Sequence, residues 1–401
     1  MNSLLNNRWQ PHRPPGFSGF GPSLVATQAR GRLAQHVIPK QRFDARTLLH
    51  EQCPMTPGVY AWLDSHDQIC YVGKSKSLRK RLLSYFAKTP SDPKAARIRD
   101  HSRRLVWEPL SDELLALIRE QELIYRWRPD FNTQGQPTRR QPAFVCLSSG
   151  AAPHAYFARQ LTDKAAHAFG PIAGTGQLRA AIESLNQVFH LRDCPDKTKF
   201  SFTEQQQLFA NPASAKCIRF ELGTCPAPCA GRCSSAHYRQ LVQHAEKFLD
   251  GSDRSALLQL QVQMASAAAD QQFERATVLR DHWSNLKWLA RRLDAIARAR
   301  QSFHGVLPMT GRHGKTIWLV LRNGCLSGSI VYPDNVVRAG KAYALLKQHA
   351  TSENRLPDSI LEMNLQLILV SWFRQNSRQQ PEFMTFEHAF EVCRQQIKRS
   401  A

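Results

Sequence analysis

Two short β-rich runs limit the fold more than anything else in the chain. Gly58-Val59-Tyr60-Ala61-Trp62-Leu63 and Ile69-Cys70-Tyr71-Val72-Gly73 flank the polar stretch Asp64 to Gln68, a pattern that reads as an antiparallel hairpin. From Ser75 to Ala87 the spacing turns helical, with Leu78, Leu82 and Phe86 on one stripe and Pro90 as the stop. A second helical run starts near Ser111, carries Leu114, Leu117, Ile118 and Ile124, and ends before Pro129. This order of elements excludes a dinucleotide-binding unit, because no strand leads through a glycine-rich phosphate loop into a crossover helix.

At 401 residues the chain exceeds one ordinary core, so an α+β protein of several domains is expected. Residues 1–43 hold six basic residues and no acid, which reads as a flexible basic arm or, alternatively, an organelle transit peptide. Residues 44–140 form the hairpin-and-helix domain. Residues 141–235 read as a connector with a strand at Phe144 to Leu147, a turn at Gly170-Pro171, a helix over Leu178 to Phe189, and a cysteine cluster. Residues 236–300 read as a helical hairpin broken at Asp270-Gln271-Gln272. Residues 301–401 read as a small α/β domain opened by a second hairpin, Thr316 to Leu321 and Ser327 to Tyr332 around Asn323-Gly324. No apolar run approaches a membrane span, and a soluble, cytoplasmic monomer is expected.

Charge narrows the partner. The formal net charge is +22, an excess suited to a polyanion such as nucleic acid. Between Tyr71 and Arg104 eleven basic residues stand against Asp92 and Asp100. Lys76, Arg79, Lys80, Arg97, Arg99, Arg103 and Arg104 are the candidates for binding phosphates without reading sequence.

Chemistry-bearing residues gather around the first hairpin. An even loop puts Tyr60 and Tyr71 on one face of the sheet and an odd loop splits them. If Lys74 opens the following helix, then Lys74, Arg81 and Tyr85 share a face. Glu120 lies in the row Glu113, Leu117, Glu120, Ile124, beside the inward stripe of its helix, where a carboxylate needs a partner. Phosphodiester hydrolysis calls for a base, for cations at the phosphoryl oxygens, and usually for a divalent metal on oxygen ligands. A tyrosine serves as base only if Lys74 or Arg81 lowers its pKa from the reference value of about 10. Taken singly, these residues read as sheet packing, a solvated face and half an ion pair.

Together, Gly58-Val59-Tyr60, Tyr71-Val72-Gly73-Lys74, Leu78, Arg81, Tyr85, Glu120 and Arg128-Pro129-Asp130-Phe131-Asn132 closely resemble the GIY-YIG nucleases, and among them the N-terminal nuclease of the UvrC excision-repair family. The resemblance implies one divalent metal, Mg²⁺ or Mn²⁺, on Glu120. It implies Tyr60 or Tyr71 as general base, Arg81 and Lys74 stabilising phosphoryl charge, and Tyr85 and Asn132 shaping the site. Where that family often has a second acid, this chain has Leu115, with Glu113 two positions away.

Cys194, Cys217, Cys225, Cys229 and Cys233 crowd one segment. Four thiolates can close a zinc site or hold a [4Fe-4S] cluster, and spacing alone does not choose between these and buried unliganded thiols. Resemblance to the same family implies an iron-sulfur cluster on Cys194, Cys217, Cys225 and Cys229. The segment from Phe273 to Asp281 is similar to that family's UVR motif, which implies docking on a UvrB-like protein through Phe273, Arg280 and Asp281. Family members continue into a second, RNase H-like nuclease and a helix-hairpin-helix module, for which this chain is too short. Asp358 and Glu362 read as surface acids. The expected activity is therefore a single metal-dependent cut in damaged double-stranded DNA, on the 3′ side of the lesion. A catalytically weak DNA-binding adaptor that recruits UvrB, or a structure- or site-specific nuclease outside repair, are the alternatives.

Overall fold

The computed structural model describes residues 17–25, 34–37, 42–87, 93–133, 141–195, 197–206, 217–311, 314–351, 356–376 and 383–398. The chain forms two compact units, Met1–Pro137 with Ala299–Ala401, and Thr138–Arg298. Among the described residues no helix is long and apolar enough to cross a membrane.

The first unit begins with β1 (Ala34–Val37), α1 (Arg42–Gln52), β2 (Gly58–Leu63), β3 (Ile69–Ser75), α2 (Leu78–Ser84), α3 (Pro93–His101), β4 (Arg104–Pro109), α4 (Glu113–Trp127) and α5 (Asp130–Thr133). Its antiparallel sheet has the order β1-β4-β2-β3. The β2–β3 hairpin closes on Leu63 and Ile69, so its loop holds an odd number of residues and should split the tyrosines. A bulge at Cys70 restores the register: Trp62 faces Tyr71 and Tyr60 faces Gly73, which returns both tyrosines to one face. Against the same face pack Leu78, Leu82 and Phe86, in one core with Tyr60 and Trp62.

Three expectations for this region are corrected. Lys74 does not open a helix but lies on β3, and α2 starts only at Leu78. The linker expected between the two helices contains α3 and the central strand β4, whose short run Arg-Leu-Val-Trp-Glu-Pro carries charge at both ends. The basic arm is not free where it is described, since β1 pairs with β4 and Phe17, Phe20, Leu24 and Val25 are buried. Residues 20–24 are tied to α4. Arg119 donates to the carbonyls of Pro22 and Gly21, both at 2.9 Å, while the Leu24 N–H and Ser23 hydroxyl donate to Glu122 at 2.6 and 2.8 Å. Arg8, Arg13, Arg30, Arg32 and Lys40 lie outside the described residues.

The second unit contains β5 (Ala143–Ser148), β6 (Ala155–Ala158), β7 (Ala165–Ile172), α6 (Thr175–Val188), α7 (Thr203–Gln206), α8 (Ile218–Glu221), α9 (Ser235–Asp250), α10 (Ser255–Ala269) and most of α11 (Phe273–Ser302). One core joins β5, α6 and α9 to α11, so the expected connector and helical hairpin form one body. Gly170-Pro171 lies inside β7 rather than in a turn. The β5–β7 ladder is irregular there, which accommodates a residue with no N–H to donate. The break between α10 and α11 falls where expected, with Gln271 in the left-handed region at φ 59°.

The chain closes with β8 (Gly305–Thr310), β9 (Thr316–Arg322), β10 (Cys325–Val331), α12 (Val336–Thr351), α13 (Ile360–Gln375) and α14 (Phe386–Lys398). Asn323-Gly324 makes the expected turn, and β8 adds a third antiparallel strand. This region is not a separate domain. Leu307, Leu319, Leu361 and Leu365 share a core with Leu114, Leu115 and Ile118 of α4. Glu362 is not a surface acid either. It is buried and completes a reciprocal cap with Ser359 at the start of α13.

Candidate active site

Tyr60 and Tyr71 of the hairpin share one face of the first sheet with Arg81 of α2 and Tyr85 just after it, while α4 packs on the other face against Val59, Ala61 and Val72 and brings Glu120 to the edge of β3. The hydroxyls of Tyr60 and Tyr85 share a hydrogen bond of 2.9 Å, and Arg81 Nε donates to Tyr60 at 3.1 Å. The Tyr71 ring lies 6.2 Å from that of Tyr60. Glu120 raises the pKa of Tyr71 by its charge, so the two groups are electrostatic neighbours. Lys74 contributes twice: its backbone N–H donates to Glu120 Oε1 at 2.9 Å and its ammonium donates to Glu113 at 3.0 Å. Lys76 meets the second Glu113 oxygen at 2.8 Å.

Both glycines of the hairpin are required by close approach. A Cβ on Gly73 would lie 2.6 Å from the Tyr60 hydroxyl and one on Gly58 would lie 2.4 Å from the Glu108 carbonyl. Asn132 acts on the backbone. Its Oδ1 accepts from the Val72 N–H at 2.7 Å and its Nδ2 donates to the Val72 carbonyl at 2.9 Å, completing the pairing of edge strand β3.

Burial controls the proton equilibria. Tyr60, Tyr71 and Tyr85 are all held above the ordinary tyrosine value, with desolvation the largest cause and Arg81 opposing it. The expected lowering by a neighbouring cation is therefore outweighed. Tyr60 is fully enclosed, whereas Tyr71 retains solvent exposure. Burial likewise pushes the Glu120 carboxyl up to about 7, against the opposing pull of Lys74. Glu113 moves the other way, because Lys76 and Lys74 hold its carboxyl below the ordinary range despite its desolvation.

The seven candidate phosphate contacts divide by environment. Lys76, Lys80, Arg97 and Arg103 are exposed. Arg79 is engaged with the Cys53 carbonyl at 2.6 Å, Arg104 with Asp67 at 2.6 Å, and Arg99 with both the Tyr85 carbonyl and Asp100. Lys94, read from sequence only as one charge among many, stands 5.4 Å above the Tyr71 ring. Its position could not be inferred without α3. Among the cysteines, Cys225 feels the charges of Cys194, Cys229 and Cys217, although burial is the main cause that raises it to about 11. The four thiols are thus electrostatic neighbours. Among the described residues no three potential ligands close to metal-binding geometry. Phe273 is 67 % exposed at the start of α11, and Arg280 pairs with its neighbour Asp281 at 2.9 Å.

A tyrosine-bearing hairpin braced by an arginine helix, with a carboxylate delivered by a second helix, marks the part of the first unit that holds it as a GIY-YIG domain. Residues 56–133 match the UvrC-like GIY-YIG domain and residues 143–248 match the UvrC/Cho excinuclease middle domain. Over these two matched segments the chain is UvrC-like, the first a GIY-YIG domain. It is 33 % identical to UvrABC system protein C of Pseudomonas putida over 247 residues, 62 % of this chain and 39 % of that protein. With the Shewanella frigidimarina protein it shares 31 % identity over 248 residues, 62 % and 38 % of the two chains. The chain thus spans about two fifths of the length of these curated relatives. It is also similar to the GIY-YIG N-terminal endonuclease domain of Thermotoga maritima UvrC, solved with magnesium. The identity is 33 %, covering 22 % of this chain and 94 % of that one, with a TM-score of 0.20.

Proposed function

We propose that this protein is an endonuclease of nucleotide excision repair that hydrolyses one phosphodiester on the 3′ side of a lesion in double-stranded DNA. The observation that carries the reading is the cluster of Tyr60, Tyr71, Arg81 and Tyr85 on one face of the sheet, with Glu120 at the β3 edge close enough to act on Tyr71 by its charge and Lys74 bridging to Glu113. Glu120 fits a divalent cation. It is a partly buried carboxylate, its one protein hydrogen bond among the described residues comes from Lys74 N, and burial disfavours its charge until a cation compensates. When bound there, Mg²⁺ or Mn²⁺ supplies Lewis-acid stabilisation of phosphoryl charge.

The remaining work falls to this chain's own groups. Tyr71, the more accessible tyrosine, serves as its phenolate, which the Arg81 charge favours against burial; it takes the proton of the attacking water and becomes the neutral phenol as the hydroxide attacks phosphorus. Tyr60 and Tyr85 fix Arg81 through their shared hydrogen bonds and exclude water behind it. The Lys74 ammonium offsets charge on the phosphoryl oxygens. Asn132 holds the backbone between Tyr71 and Gly73. Lys76, Lys80, Arg97 and Arg103 receive the flanking phosphates, with Arg79, Arg99 and Arg104 adding charge from behind their structural contacts.

Phe273, Arg280 and Asp281 form the dock for a UvrB-like partner, an apolar anchor beside polar contacts. Cys194, Cys217, Cys225 and Cys229 are the proposed ligands of a thiolate-bound centre, a [4Fe-4S] cluster or, in its place, zinc. The charge coupling of Cys225 to the other three thiols supports the set although, among the described residues, they do not close to metal-binding geometry, and iron, sulfide and zinc analysis of the purified protein, with Cys225→Ser as control, tests it. For the activity, the test is Mg²⁺-dependent nicking of an end-labelled duplex bearing one bulky adduct, with and without UvrB and ATP. One 3′-side cut that Glu120→Ala abolishes is the expected result. Intact DNA binding with no cut would replace the nuclease by the adaptor.

A further inference from the structure

We infer that the stem of α11 is a second contact for the DNA backbone, separate from the basic residues around the GIY-YIG face. The inference rests on the proposed nuclease reading and adds to it a surface on the second unit. Charge along α11 is unevenly distributed. Its first part, Phe273 to His282, holds Glu274, Arg275, Arg280 and Asp281 and is balanced. From Trp283 to Arg298 the cations are Lys287, Arg291, Arg292 and Arg298, against the single acid Asp294. Asp294 is already engaged by Arg254 at 2.5 Å, so it does not neutralise the others.

At 100° per residue Lys287, Arg291 and Arg298 fall within about 40° of one another. The buried residues Leu286, Leu289, Ala290 and Leu293 occupy a different sector. Arg291 and Arg298 are exposed, and among the described residues neither makes an ion pair or hydrogen bond. Lys287 is pre-oriented, its ammonium 4.0 Å over the Trp283 ring. The row spans about 16 Å of helix, a length over which duplex DNA carries about ten phosphate charges. The row contains no hydrogen-bonding fork directed by neighbours, which suits backbone contact rather than base reading. The balanced, apolar-bearing tip around Phe273 and Val278 suits a protein partner instead, so one helix serves two kinds of ligand.

The test is the salt dependence of binding to an undamaged random-sequence duplex, in divalent-free buffer so that no strand is cut. Lys287→Gln/Arg291→Gln/Arg298→Gln should lower the slope of log K against log salt by about 2 to 3, at about 0.9 per lost phosphate contact. Arg275→Gln/Arg280→Gln at the tip should leave it unchanged. Circular dichroism and melting confirm that the exposed substitutions leave the fold intact. An unchanged slope in the triple variant overturns the inference, as does a charge effect seen only with anionic lipid vesicles. Nicking is scored separately. A chain that does not nick but shows the slope change keeps this surface and loses the proposed active site, and a chain that nicks with an unchanged slope does the reverse.

Discussion

Glu120 is placed where its charge is costly. Its folded-state pKa, near 7, stands above the ordinary value of 4.5, so the folded protein binds this proton more tightly than the unfolded chain. Stability of the metal-free protein should therefore fall as pH rises from about 4.5 through 7 and level off above. Glu120→Gln should abolish that dependence and raise stability at pH 8 by about 1–2 kcal/mol while eliminating nicking; urea titrations at pH 5 and pH 8 check the sign. Because the proton and the cation compete for one carboxylate, metal affinity should rise about tenfold per pH unit below 7 and then plateau, which calorimetry with Mn²⁺ measures. Gly73 is constrained by space rather than charge. Gly73→Ala puts a methyl within 2.6 Å of the Tyr60 hydroxyl and must rotate that ring away from Arg81. A loss of about 100-fold in nicking rate is expected, with destabilisation of about 1–3 kcal/mol; wild-type rates would show that Tyr60 can move without consequence.

Helix α4 is held from three directions, and this determines where Glu120 stands. One side faces β3, a second packs Leu114, Leu115 and Ile118 into the core of the C-terminal sheet, and a third carries Arg119, which is 2 % exposed between Glu108 and Glu122. Arg119→Ala leaves two buried carboxylates without this cation and removes the hydrogen bonds to the Gly21 and Pro22 carbonyls, leaving Arg126 to hold the segment. A cost of about 3–5 kcal/mol follows, read as a fall in melting temperature together with protease sensitivity near residue 20. Leu115→Ala should cost about 2–5 kcal/mol and weaken nicking with it, since α4, which carries Glu120, packs on the C-terminal sheet through that residue. The hairpin, α4 and the tyrosine–glutamate set were legible in the sequence because period and turn chemistry are local. The bulge at Cys70, which rescues the shared face of the tyrosines, has no such signal. Nor does β4, a central strand ending in a charged residue and a proline that gains its identity from pairing with β2 and β1. The C-terminal core on α4 depends on contacts some two hundred residues apart, and Leu114 and Ile118 read only as apolar positions of their own helix.

Two units with separate cores allow binding and cutting to be perturbed independently. The +22 charge is not spread as a uniform coat: residues 74–104 carry a net +9, residues 1–43 a net +6 and the stem of α11 a net +3, while the tip of the helical hairpin is nearly balanced. Leu258, Val262, Phe273 and Val278 are all more than half exposed on α10 and α11, where a folded monomer gains little from large apolar side chains. Phe273→Ala removes no buried contact, so its melting temperature should match wild type to within about 0.5 kcal/mol of stability. Its affinity for undamaged duplex and the associated salt slope should also be unchanged, because no cation is lost. Incision that depends on UvrB should nevertheless fall by at least tenfold, the loss expected when an aromatic anchor at the centre of a small interface is truncated. Measuring all three on one preparation separates the possibilities: a lower melting temperature would make Phe273 a core residue of the second unit, and full partner-dependent incision would move the dock elsewhere. Only a selective loss of UvrB-dependent cutting fits a chain whose first unit cuts, whose α11 stem holds the duplex, and whose hairpin tip brings both to the lesion.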